Sequence, residues 1–137
     1  MTINNKEILT RFLQEVWTDG NVDAIDQYLA KQYTIHHDPG DPWNGRTLGI
    51  DGFKERVMQS RAPFPDQRFI VQEMVAEGDK VACAWHWTGT HLGDMPGFPA
   101  SGKSVAISGL TIYTFASGRL TGHWQVSDRL GVYQQLS

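Results

Sequence analysis

The sequence predicts an α+β fold: helices first, then a twisted antiparallel sheet whose concave face the helices close. Three observations carry this. Before Asp66 the apolar residues recur at helical spacing, as in Ile8, Phe12, Val16 and Leu9, Leu13, Trp17. Beyond Asp66 they alternate in the manner of strands. The helices all stand at the start and the strands follow as hairpins, which is the order of an α+β domain rather than of a βαβ repeat.

The first helix presents a wide apolar stripe that needs a sheet or another helix to cover it, and Thr18-Asp19-Gly20 ends it. Asn21 is placed to cap a short second helix with Val22, Ile25 and Leu29 inward, after which Tyr33-Thr34-Ile35 extends the chain. The run from His36 to Gly45 holds two imidazoles, two carboxylates and an indole, and its prolines and glycines forbid a helix, so it reads as a loop of the kind that rims a site. A third helix spans about Ile50 to Met58 with Ile50, Phe53 and Val57 inward, and Ala62-Pro63-Phe64-Pro65 terminates it.

Phe69, Val71 and Val75 share one parity of the first long strand; the turn at Glu77-Gly78-Asp79-Lys80 leads into the second, Val81 to Thr88. After a broken loop, Leu92 to Gly102, the stretch Lys103 to Gly131 reads as two long strands joined at Ser117-Gly118. Both parities of Val105–Phe115 are largely apolar, so this strand is expected to be central and covered on both faces. The tail, with Leu130, Val132, Tyr133 and Leu136, docks as helical turns or a last strand segment.

With 137 residues the chain is one domain, long enough to bury roughly two thirds of the surface its unfolded form exposes. A net charge of −3 and no basic run argue against nucleic acid as a partner. No stretch has the apolar length of a signal peptide core or a membrane span, which places the protein in the cytoplasm. The single cysteine, Cys83, excludes an internal disulfide and a multi-cysteine zinc site, and among Ala and Trp residues it reads as a small buried hydrophobe.

His123, Gln125 and Asp128, on the last long strand, are the candidates for polar groups in a buried pocket. Asp128 stands before the tail and beside Arg129, so capping a final turn or pairing with an arginine competes equally with catalysis. His123 reads more readily as a hydrogen-bonded core or surface histidine than as a catalytic one. Trp85 and Trp87 share a face with Val81 and Cys83, where packing and lining a cavity are compatible, whereas His86 points the other way. His36-His37-Asp38 lacks the spacing of a metal set, since adjacent side chains of an extended chain point to opposite sides.

The run from Gly89 to Lys103, the strand Gly109-Leu110-Thr111-Ile112-Tyr113, and His123-Trp124-Gln125-Val126-Ser127-Asp128-Arg129-Leu130-Gly131 with Gln135-Leu136 resemble the SnoaL-like polyketide cyclase, or ester cyclase, family. The resemblance covers nearly the whole chain, including the His37-Asp38-Pro39 loop. It implies a nuclear-transport-factor-2-like α+β cone, a homodimer or homotetramer, a deep pocket for an apolar or aromatic small molecule, and neither organic cofactor nor metal. It implies ring closure of a polyketide methyl ester by an intramolecular aldol step, with an aspartate of the last long strand as general acid and base. Here the chain departs from the pattern: Gln125 stands at the aspartate's position, and Thr111 where the characterised cyclases have a pocket histidine. An amide does not titrate, so the base falls to His123, Asp128, or the loop pair His36 and His37.

Three functions follow from this reading. The first is a cyclase-like enzyme that abstracts a proton next to a carbonyl, followed by ring closure, isomerisation or dehydration, with His123 or Asp128 as base and Gln125 orienting a substrate held by His36, His37, Trp85, Trp87, Thr111 and Tyr113. The second is a non-catalytic binder of an apolar metabolite. The third is a hydrolase of the limonene-epoxide-hydrolase kind, which wants an Asp-Arg-Asp set about a water, and no arginine lies in the Val81 to Thr88 strand.

Overall fold

A computed structural model describes residues 4–137. The chain opens with α1 (Asn5–Phe12), where the Asn4 side chain accepts from Glu7 N at 2.9 Å and so caps the helix. Its continuation, Leu13–Thr18, widens to the i→i+5 spacing, Asp19 N bonding Gln14 O at 2.8 Å. The carbonyls freed at this end are taken by Arg61, whose Nε reaches Trp17 O and whose Nη2 reaches Thr18 O at 3.0 and 2.8 Å.

A 3₁₀ turn (Val22–Ala24) leads into the short α2 (Ile25–Tyr28) and then β1 (Leu29–His37). Leu29, expected on the inner stripe of the second helix, is buried as the first residue of β1. After the loop come the two-residue β2 (Thr47–Leu48) and α3 (Ile50–Arg61), the latter three residues longer than expected. Four long strands follow: β3 (Arg68–Glu77), β4 (Lys80–Thr90), β5 (Ser104–Ala116) and β6 (Arg119–Ser127). The tail resolves as helix, α4 (Arg129–Leu136). No described helix is long and apolar enough to cross a membrane.

The sheet has six strands in the order β2-β1-β6-β5-β4-β3. All neighbours are antiparallel except β1 and β6, which run parallel, a pairing the expected set of four hairpin strands did not contain. Gly122 permits it: a Cβ there would collide with Thr34 O and the His36 ring. Ser117 and Gly118, at φ 49° and 75°, make the tight turn between β5 and β6.

On the inner face, Val81, Cys83, Trp85, Val105, Tyr113 and Phe115 pack against Leu9, Phe12, Val16, Phe53 and Val57 from the helices. Burying each such large side chain contributes about 1.5–3 kcal/mol. Cys83 lies in this layer with its thiol pushed up to about 11 by burial, so it packs as a hydrophobe. The expectation that β5 is covered on both faces fails. Val105, Thr111, Tyr113 and Phe115 are buried on one side, but Leu110 and Ile112 on the other are 63% and 43% exposed. The helices cover one face only, so the second apolar parity of β5 is left facing outward.

Candidate active site

Between sheet and helices lies a cavity of about 480 Å³. Its walls are aromatic, with Trp17, Trp43, Phe64, Trp85, Trp87 and Tyr133; its polar end is formed by Asp41, Arg56, Tyr113, His123, Gln125 and Arg129. Such a volume, mostly apolar with a few convergent polar groups, suits a small organic ligand.

Trp85 owes its pose to a missing side chain. It pairs across the strands with Gly109, and a Cβ built on Gly109 would come within 2.2 Å of the indole ring. The ring therefore lies flat over the glycine, with Nε1 donating to Thr111 Oγ1 at 2.9 Å. Gly109→Ala should displace the indole and cost about 1–3 kcal/mol by overpacking. Urea unfolding followed by tryptophan fluorescence checks this; an unchanged midpoint and native spectrum would refute it.

The polar end is organised by Asp38, which is fully buried. Its place follows from β1. Tyr33 and Ile35 point inward and His36 outward, but a register shift between Ile35 and His37 turns His37 outward as well and brings Asp38 in. The loop after it is held by its own side chains: Asp38 N donates to Asn44 Oδ1 at 2.7 Å, and Trp43 N to Asp41 Oδ1 at 2.8 Å.

Four side chains converge on the Asp38 carboxylate. His123 Nε2 donates to Oδ2 at 2.9 Å, Arg129 Nη2 to Oδ1 at 3.0 Å, Arg56 Nη2 to Oδ2 at 3.4 Å, and Gln125 Nε2 to both oxygens at 3.3 Å. Arg56 also holds Asp41 Oδ2, from Nη2 at 2.9 Å and Nε at 3.3 Å, while its guanidinium lies 5.2 Å over the Trp17 ring. On the far side of the imidazole, Tyr33 Oη is 2.5 Å from His123 Nδ1.

The electrostatics fix the protonation states. Burial alone would raise the Asp38 pKa, but the hydrogen bond and charge of His123 and the Arg129 guanidinium outweigh it, and the carboxyl is held below its usual range. Burial lowers the His123 pKa, which the Asp38 hydrogen bond opposes and the Arg56 charge reinforces, so the imidazole is neutral at pH 7. Burial raises Tyr33 well above the ordinary tyrosine value, so it remains a phenol. Asp38 only accepts, hence Nε2 carries the proton and the Nδ1 lone pair accepts from the Tyr33 hydroxyl.

The structure brings together His123, Gln125, Trp85, Trp87, Thr111 and Tyr113 of the residues expected at the site. Thr111 stands behind the lining, donating to Gln125 Oε1 at 2.8 Å. His36 and His37 do not join them. Both are exposed on the outer face, His36 stacked on Trp124 with ring centroids 4.0 Å apart. Asp128 is exposed too and caps α4, accepting from Gly131 N at 2.9 Å, because it falls just beyond the end of β6. Tyr33, Asp38, Asp41, Arg56 and Arg129 were not among the expected site residues. Arg56 had a legible signal, a charge three residues after Phe53 and next to Val57 on the inward stripe of α3. Asp38 and Asp41 spend their oxygens on guanidinium and imidazole donors, and among the described residues no three His, Cys, Asp or Glu side chains converge as a metal set.

A one-sided sheet closed by the N-terminal helices and the C-terminal helix, with a side pocket between them, defines the α+β cone of the nuclear-transport-factor-2 kind. Within that class the match is specific. The model of the SnoaL-like polyketide cyclases fits residues 7–136, and the chain belongs to that family. A crystal structure of a protein from Acidithiobacillus ferrooxidans ascribed to the polyketide cyclases is 57% identical, with a TM-score of 0.93 over 99% of this chain and 97% of that one. IdmH from Streptomyces antibioticus, also ascribed to the polyketide cyclases, superposes with a TM-score of 0.84 at 25% identity, covering 98% and 99% of the two chains. Aklanonic acid methyl ester cyclase DnrD of Streptomyces peucetius is 23% identical over 133 residues, 93% of this chain and 88% of that protein.

Proposed function

We propose that the chain is a small-molecule enzyme of the cyclase kind that moves a proton next to a carbonyl group, with His123 as the base. The observation that carries this is a buried imidazole hydrogen-bonded between a buried carboxylate and a buried phenol at the polar end of an aromatic cavity. The relative DnrD is by name a cyclase acting on aklanonic acid methyl ester, which makes a carbonyl compound that closes a ring the substrate class of choice.

In the proposed reaction the Tyr33 hydroxyl turns from Nδ1 to the substrate carbonyl oxygen. Nδ1 then takes the proton from the adjacent carbon, and the electron pair of that C–H bond moves onto oxygen as an enolate, which the phenol O–H stabilises. Asp38 steadies the imidazolium through Nε2, the part a carboxylate plays behind any catalytic histidine. The enolate carbon bonds to a second carbonyl carbon, and the alkoxide so formed recovers the proton from Nδ1. The proton never leaves the site, so its total charge is constant.

Enzyme-dependent deuterium uptake in D₂O, read by NMR at the carbon between the two carbonyls of aryl 1,3-diketones and aryl β-keto methyl esters, tests this. Faster exchange with the wild-type chain than with His123→Gln supports the proposal. Binding of the same compounds, seen as tryptophan quenching, with no exchange above background refutes it in favour of a second reading, a metabolite-binding protein. That reading draws on the same network, in which both His123 nitrogens are already bonded. The epoxide-hydrolase reading is disfavoured. An Asp-Arg-Asp set does form, from Asp38, Arg56 and Asp41, but the four side chains on Asp38 leave no lone pair to activate water.

We further propose that the functional unit is a homodimer joined through the outer face of the sheet. Leu110, Ile112, Trp124, Val126 and Val75 make this face apolar, with Leu110, Val126 and Val75 each more than 60% exposed. Sedimentation of Leu110→Asp/Val126→Asp should show a monomer at concentrations where the wild type is a dimer. A monomeric wild type would sink the proposal.

A further inference from the structure

The hydrogen bonds behind the cavity run in one direction, and that direction is forced at its start. An indole nitrogen can only donate, so the bond from Trp85 Nε1 to Thr111 Oγ1 obliges the threonine hydroxyl to spend its own proton elsewhere. It spends it on Gln125 Oε1 at 2.8 Å. The amide is thereby locked with Oε1 toward Thr111 and Nε2 toward Asp38, where it reaches both carboxylate oxygens. Asp38 is left as a pure acceptor, and His123 must present Nε2–H to it. A flipped Gln125 would oppose its oxygen to the carboxylate.

We propose that Thr111 and Gln125 are positioning residues: a one-way hydrogen-bond chain that starts at the Trp85 indole on the cavity floor and governs, through Asp38, the tautomer and proton affinity of His123. The chain explains why an amide at 125, which cannot itself move protons, belongs in this site. It is a clamp on Asp38. Without it the carboxylate has fewer donors, directs more of its charge at Nε2, and favours the imidazolium. The charged and titratable groups that face His123 are Asp38, Asp41, Arg56 and Tyr33, with Tyr113 on its β5 side and Arg129 acting through Asp38. Of these, Tyr113 also interacts with the Thr111 hydroxyl, so Trp85→Phe, which leaves that hydroxyl in place, separates the chain from an effect through Tyr113.

The test is long-range proton–nitrogen NMR of the ¹⁵N-labelled protein across the histidine titration, with His123→Gln assigning the His123 signals among the five histidines. The wild type should show the Nε2–H tautomer. In Thr111→Val the His123 pKa should be higher by about 0.5, and Thr111→Ser, which keeps the hydroxyl, should restore it. Trp85→Phe, which keeps the ring and removes the N–H, should move it the same way and guards against a misfolded valine variant. A valine variant that folds and titrates like the wild type overturns the inference, as does a serine variant shifted as far as the valine one. The kinetic counterpart rests on the reading of His123 as base: the acid limb of the exchange rate should shift upward by the same amount. Movement in the NMR titration without movement in the rate would overturn that base reading and leave the chain standing.

Discussion

His123→Gln should lower turnover by about 10²- to 10⁴-fold, the usual contribution of a positioned general base, while ligand affinity stays within a small factor of wild type. Glutamine is the informative replacement. Its amide N–H can donate to Asp38 and its oxygen can accept from the Tyr33 hydroxyl, so both bonds of the imidazole have a substitute and only the capacity to hold a proton is lost. A fall in kcat with unchanged KM is then the signature of chemistry and not of folding. The pH dependence has a definite sign. The base works only when neutral and burial lowers its pKa, so the wild-type rate should fall as the pH drops through a value below 6.5, and the glutamine variant should lack that limb. Equal turnover in the two proteins, or an identical acid limb in both, would end the case for His123.

The parts of this site that the sequence made legible are those where alternation holds. Along β6 it is strict from His123 to Ser127, so His123 and Gln125 were readable as inward neighbours and Trp124 and Val126 as their outward complement. Trp85 and Trp87 were readable on β4 for the same reason. The rule broke at β1. Counting inward from Tyr33 and Ile35 puts His37 inside and Asp38 outside, and the register shift before His37 inverts both. A bulge of one residue has no compositional mark, so the central carboxylate of the site was hidden by the same counting that found its partner. Arg129 had no signal: it reaches back from the first turn of α4 to Asp38 across Gly40, where any Cβ would strike its side chain. The two-residue β2 is too short to carry a period. The fold was easier because the change from helical to alternating spacing near Asp66 is a property of many residues together, which one bulge does not disturb.

Asp38→Asn should destabilise the protein by about 3–5 kcal/mol, the largest stability effect of any single change at the site. The reason is that the surroundings of Asp38 contain only donors. Arg56, Arg129, Gln125 and His123 all direct N–H groups at it, and an asparagine would turn an NH₂ toward one pair of them while leaving the Arg56 guanidinium, itself 5% exposed, with one carboxylate fewer. The same network sets how the fold responds to acid. Folding depresses the His123 pKa, so the unfolded chain binds that proton more readily; this contribution is full above about 6.5 and is lost as the pH falls through the folded value. Folding also depresses the Asp38 pKa, so a second contribution is full above 3.8 and is lost as the pH falls through its folded value. Both losses run the same way, and neither offsets the other. Urea midpoints taken from pH 7 downward should therefore decline in two stages in the wild type, whereas Asp38→Asn should begin low and lack the second stage. An asparagine variant as stable as the wild type at pH 7 would mean that the four donors find water or one another as readily as they find the carboxylate, and the buried network could then not be what holds His123 in place.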